Sequence, residues 1–199
     1  MIANMVSLLP IGDSITCLSV QLYANFFYHT IPFTFDTFIL YRSWIISGRN
    51  KTCCVISIIL IGGRLVWGLW DILKSGGQWD EASMSCNFIQ DPISLIGYSW
   101  VDIICDLFAT VVAVVVIARQ IGWDFADTNY MTVMSIFRSS LVASTNIAVM
   151  VTGSLSIDPF WVNVAWAIQI YVLCRCLNVE IILPEMEKTV TQLARIQCL

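Results

Sequence analysis

The sequence predicts an all-α fold, a polytopic transmembrane helical bundle of five spans closed by a short C-terminal amphipathic helix. Three observations predict it. The 199 residues are 58% hydrophobic and only 12% charged, with a mean hydropathy of +0.78, where a soluble domain carries about 25% charged residues. Five apolar runs reach the ~20 residues needed to cross a bilayer core. Finally, the cations are segregated to alternate loops, as the positive-inside rule requires of a chain crossing repeatedly.

The first span, 17–46, is an aromatic-rich run that exits into Arg42, Arg49 and Lys51, three cations within ten residues. It is longer than a bilayer requires, so it is expected to tilt or to kink at Pro32, where one helical hydrogen bond is missing. The second span is 52–73, ended by Lys74-Ser-Gly-Gly77, and the third is 93–118, ended by Arg119, Gly122 and Trp123. The fourth is 131–153, and the fifth is 160–183, stopped by Pro184. With no internal repeat or soluble linker, residues 1–199 read as a single domain. In the tail, Met186, Val190, Leu193 and Ile196 follow helical spacing between polar residues, the pattern of a short helix lying on a membrane surface. Residues 1–12 are apolar but lack the basic start of a signal peptide. They read either as a short surface segment or as the remnant of an upstream span.

Alternation of the spans puts Arg42, Arg49, Lys51, Arg119, Arg138, Arg175, Lys188 and Arg195 on one side or at the span ends facing it. The opposite side holds Lys74 with Asp13, Asp71, Asp80, Glu81, Asp91 and Asp158. Eight cations against one place the N-terminus outside and the C-terminus in the cytoplasm. The composition names neither plasma membrane nor endomembrane. Ten Lys and Arg scattered over a chain of net charge −4 form no basic stripe, so a nucleic-acid partner is not expected.

On this topology Cys17 and Cys86 both lie on the outer side, where oxidising conditions permit a disulfide between them. The other six cysteines (Cys53, Cys54, Cys105, Cys174, Cys176 and Cys198) fall in spans or on the inner side. Cys53 and Cys54, beside the inner interface, read as acylation sites or simply as small apolar residues.

The span interiors contain Asp36, Arg64, Asp102, Asp106, Arg138, Asn146 and Arg175. A charge at the bilayer centre costs about 2.5–3.5 kcal/mol on insertion scales, so these are expected to be paired. Asp102 and Asp106 are four apart and share one helical face. Arg64 lies at nearly their depth, so it is expected to pair with one of them. Asp36 and Arg138 both fall roughly 6 Å to the inner side of their span centres at 1.5 Å per residue. Such a polar core either binds a ligand or relays a proton, or is an ion-pair network that only holds the bundle together. Gly62, Gly63 and Gly68, with the pairs Ser139/Ala143 and Ser140/Ser144, mark expected close helix approaches.

Enzymatic readings fail on residue supply. A membrane zinc hydrolase needs several ligands, usually His, and His29 is alone. A retinal protein needs a mid-span Lys, but Lys51, Lys74 and Lys188 are all peripheral. An intramembrane aspartyl protease brings its acids from different helices, whereas Asp102 and Asp106 share one. No catalytic residue, metal site or cofactor is therefore expected. Asn50-Lys-Thr52 is a glycosylation sequon that this topology leaves in the cytoplasm.

Four stretches resemble a group of uncharacterised fungal integral membrane proteins with seven spans. They are Tyr41-Arg-Ser-Trp-Ile-Ile-Ser-Gly-Arg-Asn50, Asp106-Leu-Phe-Ala-Thr110, Phe137-Arg-Ser-Ser140 with Asn146, and Gln169-Ile-Tyr-Val-Leu-Cys-Arg-Cys-Leu-Asn-Val-Glu180. The resemblance covers about residues 17–187 and implies the last five of seven spans, two N-terminal spans being absent. A fainter similarity is to G-protein-coupled receptors: Cys17 and Arg42 at opposite ends of one span, with a loop Cys86. Tyr41 stands where that family has an acid before the Arg, and no Asn-Pro-x-x-Tyr closes the chain. The expected function is a receptor-like membrane protein that binds a small molecule from outside and presents Arg42, Arg49 and Lys51 to a cytoplasmic protein. The alternative is a small transporter or ion-conducting protein using Asp102, Asp106 and Arg64.

Overall fold

The computed structural model describes residues 14–81, 85–121, 125–155 and 161–178. The expected amphipathic tail helix, residues 1–12 and the last five residues of the fifth span lie outside the described residues. The protein is all-α, with one small hairpin. Helix α1 spans Ser14–Ile46, and Pro32 lies inside it without ending it. At 1.5 Å per residue its 33 residues run about 50 Å. The chain then reverses over four residues, with Gly48 and Arg49 at φ 71° and 60°. Asn50 starts helix α2 (Lys51–Lys74) as an N-cap, its side chain accepting from the Thr52 N–H at 2.8 Å. The sequon asparagine is thus a helix cap.

Helix α2 stops at Lys74, where the Ser75 N–H returns to the Asp71 carbonyl at 2.7 Å. The segment expected to be a plain loop is a β-hairpin. Strands β1 (Gly76–Asp80) and β2 (Ser85–Ile89) pair antiparallel, with Trp79 opposite Cys86. An isolated two-stranded ribbon is marginal in stability; this one is fastened at several points. Cys86 is disulfide-bonded to Cys17 of α1, with Cα atoms 5.6 Å apart, which establishes the expected bridge. Gly77 lies so close to the Cys17 carbonyl and Gln21 that a Cβ would collide with both. Phe88 packs edge-on against Trp166 at 5.4 Å.

Asp91 caps helix α3 (Pro92–Ile121), accepting from the Ser94 N–H at 2.8 Å, with Pro92 in the first turn where its missing N–H costs nothing. Helix α4 spans Phe125–Ser154, beginning six residues before the expected span. Helix α5 covers residues 161–178 of the described chain. Helices α1, α2 and α3 pack against one another, and α4 packs on α3. Helix α5 closes the bundle through Leu173 and Cys176, which join Phe35, Leu40, Cys105 and Val142 in one apolar cluster. A second cluster nearer the hairpin joins Tyr28, Leu95, Tyr98 and Val149, with Trp166 and Ile170 against it.

Of the glycines expected at close approaches, Gly68 is at one, beneath Arg64 and His29. Gly62 and Gly63 face open space, and Ser140 and Ser144 are exposed. Instead, Gly97 of α3 lies under the Trp67 ring, and Gly153 of α4 against Leu95. The spacing of small residues locates a helix face but not the neighbour that the face meets.

The distribution of polarity is inverted. Ile59, Val66 and Leu73 of α2 are 66%, 63% and 80% exposed, and similar apolar residues cover the outward faces of α1, α3 and α4. Several charged side chains are inside: Arg64 is 1% exposed and Asp71 0%. Hydroxyls along the helices are returned to the backbone four residues earlier, as in Thr30, Thr34, Thr37 and Ser144. Two helices, Lys51–Lys74 and Pro92–Val116, are long and apolar enough to cross a membrane.

Candidate functional site: a buried ion-pair network

The site is assembled by polar residues recurring on one face of each helix. On α1 these are Asn25, His29, Asp36 and Ser43, spaced four, seven and seven; on α2 they are Ser57, Arg64 and Asp71, spaced seven apart. All seven are buried. Intervals of three, four and seven keep residues on one helical stripe, so each helix turns a polar line toward the bundle axis.

At the hairpin end the hub is Asp71, whose carboxylate accepts from five donors on four different parts of the chain. Asn25 Nδ2 donates at 3.0 Å and His29 Nε2 at 2.8 Å, both to Oδ2. Ser75 Oγ donates to Oδ1 at 2.9 Å, joined there by the Ser94 hydroxyl and the Gln90 amide. Ser75 Oγ in turn accepts from the Asp91 N–H at 2.9 Å. One carboxylate therefore ties α1, the end of α2, the hairpin exit and the start of α3. An ionised carboxylate can accept at four lone-pair sites, with sharing, so Asp71 is buried without an unmatched charge-accepting atom.

His29 links this hub to the next layer. Its Nδ1 lies 3.3 Å from Arg64 Nη1, a group that can only donate. Nδ1 is therefore the acceptor, and the ring hydrogen sits on Nε2, which faces Asp71. Partners on both sides assign the tautomer. Gly68 makes room for this contact: a Cβ there would stand 3.2 Å from Arg64 Nη1 and 3.7 Å from the His29 ring.

Arg64 forms the middle layer. Its Nε pairs with Asp102, its nearest acid, and lies 3.8 Å from Asp36 Oδ2. The guanidinium carbon sits 5.2 Å from the centroid of the Tyr98 ring, a cation–π contact. The expected cross-helix pairing is thus made with Asp102. Asp106, one turn further along α3, goes to Arg138, whose Nε donates to it at 3.1 Å while Nη2 donates to Thr110 Oγ1 at 3.1 Å. Asn146 enters a side branch: Tyr28 O–H donates to Gln169 Oε1 at 2.5 Å, Gln169 Nε2 to Asn146 Oδ1 at 2.8 Å, and Asn146 Nδ2 to the Val142 carbonyl at 3.0 Å. Arg175, expected inside the bundle, is exposed on α5. Arg42 is half-buried, while Arg49 and Lys51 are exposed around the α1–α2 turn.

His29 and Asp71 were not among the expected site residues. Their signal was present in the seven-residue spacing from Asp36 and Arg64. It was masked because Asp71 falls near the end of its span, where an acid also reads as a surface charge. Asn25, Tyr28, Ser94 and Gln169 are neutral, and nothing in their local sequence separates a network member from an ordinary polar residue.

Chemically, the arrangement is a line of polar contacts, Asp71–His29–Arg64 by hydrogen bonds and Arg64–Asp102 by an ion pair. Among the described residues no group of three or more His, Cys, Asp or Glu is placed to hold a metal ion. The hairpin carries a shallow polar depression lined by Gln78, Trp79, Asp80 and Asn87. In comparisons with known proteins the chain matches no family model, no curated protein and no solved structure.

Proposed function

We propose that the protein is a multi-pass integral membrane protein of five spans, receptor-like and without enzymatic activity, with its N-terminus outside and its C-terminus in the cytoplasm. The observation that carries this reading is the inversion of polarity: charges on the axis and large aliphatic side chains facing outward on four helices. In water such a surface would aggregate; in lipid it is the stable arrangement. Helices α1, α4 and α5 join the two strongly apolar ones as spans. Their inward polar stripes lower the average hydropathy while the outward faces remain apolar. The disulfide fits an oxidising exterior at the hairpin end, and Arg42, Arg49 and Lys51 fit a cytoplasmic face at the other.

A ligand would act from the hairpin side. The Asp71 hub joins hairpin, α1, α2 and α3, so displacement of the hairpin reaches Arg64 through His29. The cytoplasmic turn bearing Arg49 would present the response to a protein partner. The resemblance of the ordered motifs to the fungal seven-span group suits this reading, the chain corresponding to five of those spans. The transporter alternative draws on Arg64, Asp102 and Asp106 within the same buried region.

Reconstitution into sealed liposomes separates the two. The receptor reading expects no ion or proton flux in the resting protein. It also expects a cytoplasmic partner whose capture is lost when Arg42, Arg49 and Lys51 are changed to Glu. A flux abolished by Asp102→Asn would replace it with the transporter reading.

A further inference from the structure

The buried charges do not balance. Among the described residues, Asp36, Asp71, Asp102 and Asp106 are buried acids, and Arg64 and Arg138 are the buried cations. Asp71 is satisfied by its five donors and Asp106 by Arg138. Arg64 remains for two acids on two helices, Asp36 of α1 and Asp102 of α3. Both carboxyls thus face the same guanidinium. Ionised carboxylates only accept, so two of them cannot bond without a hydrogen between them. Asp36 Oδ2 has no donor, although the residue is buried. Like charges sharing a low-dielectric site do not both ionise.

We propose that Asp36 and Asp102 together hold one proton beneath Arg64, making this trio a proton-binding site at the centre of the bundle. The other titratable groups facing it are His29 and Tyr28 of α1, and Tyr98, Cys105 and Asp106 of α3. His29 is committed to Asp71 and Arg64, and Asp106 to Arg138, so neither supplies the missing hydrogen. A metal ion is the weaker occupant, because among the described residues no third His, Cys, Asp or Glu joins the two acids in a metal-holding group. The proton joins α1 to α3 through the carboxyl pair. Its loss leaves two negative charges at one guanidinium and drives those helices apart. A movement that hands Arg64 wholly to one acid favours protonation of the other, so proton occupancy and helix arrangement are coupled. The inference rests on the membrane reading, since a lipid surround is what forbids the second charge. The two fail separately: membrane residence is decided by extraction and topology, the proton by spectroscopy.

The test is infrared spectroscopy of the full chain in lipid nanodiscs, read at the C=O stretch of a protonated, buried carboxylic acid. The wild-type protein should show that band, moving to lower frequency in heavy water. Asp36→Asn and Asp102→Asn should each abolish it, because the remaining acid then ionises against Arg64. Asp106→Asn should leave it in place, and Arg64→Leu should enlarge it, with no cation left to hold either acid ionised. If Asp36→Asn does not fold, Asp36→Glu must shift the band frequency. A wild-type protein without the band overturns the proposal. If, in addition, sodium chloride but not choline chloride raises the wild-type melting temperature, and Asp36→Asn removes that effect, the occupant is a monovalent cation instead. A band that survives in both single Asn variants belongs to another acid and equally overturns it.

Discussion

Arg64 is the residue on which the interior depends, since it meets Asp102, Asp36, His29 and Tyr98 at once. Removing one partner of a buried ion pair costs about 3–5 kcal/mol, because the other is left charged without compensation or forced to take up a proton, whereas replacing the whole set can be nearly neutral. Arg64→Leu is therefore expected to lower the melting temperature and folded yield in detergent. The triple variant Arg64→Leu, Asp36→Asn, Asp102→Asn should recover part of the loss. A triple variant no better than the single one would show that the acids carry no uncompensated charge. Asp71 makes a second test at the same scale. Asp71→Asn keeps the size but turns one acceptor oxygen into a donor facing other donors, a loss of about 2–3 kcal/mol at a charged hydrogen-bond site. Thermal unfolding measures it, and an unchanged midpoint would mean that the hub is not stabilising.

Among the elements, the hairpin owes its order to attachments outside itself. The Cys17–Cys86 bridge closes a separation of 69 residues. In the chain-entropy account that is worth about 4 kcal/mol. Cys86→Ser should lower the unfolding midpoint accordingly, and protease cleavage within 76–89 should become fast. If cleavage stays slow, the Asp71 hub holds the hairpin without the disulfide. At the α3–α4 contact, Gly153→Val places a side chain into Leu95 and should cost about 1–3 kcal/mol by overpacking. Gly62→Ala, facing open space, should be near neutral. These elements also mark the limit of what sequence discloses. The helices were legible because apolar runs and cationic exits are local signals. The Cys17–Cys86 pairing was legible because only two cysteines fell on the side the charge pattern makes the expected exterior. The hairpin was not, since Gly76-Gly77 and Cys86 give it no alternating pattern of its own and its stability comes from α1 and Trp166. The pairing of Arg64 was legible to within one helical turn. The choice of Asp102 over Asp106 was not, because it depends on Arg138 being brought to Asp106 by the α3–α4 contact.

At the scale of the whole molecule, one physical fact organises the rest: the polar stripes of α1, α2 and α3 face inward and the aliphatic faces outward. A lipid surround makes both halves favourable at once. It would also make the interior ion pairs obligatory, since they would have no water to fall back on. The central claim is that this chain crosses a membrane five times with the disulfide-strapped hairpin outside. The most direct measurement is protease protection of terminally tagged protein in sealed, right-side-out vesicles. The expected result is cleavage of a tag at Met1, protection of a tag at Leu199 until detergent is added, and retention of the protein in the pellet after alkaline extraction. Release by alkali, or both tags on the same side, would contradict the five-span account.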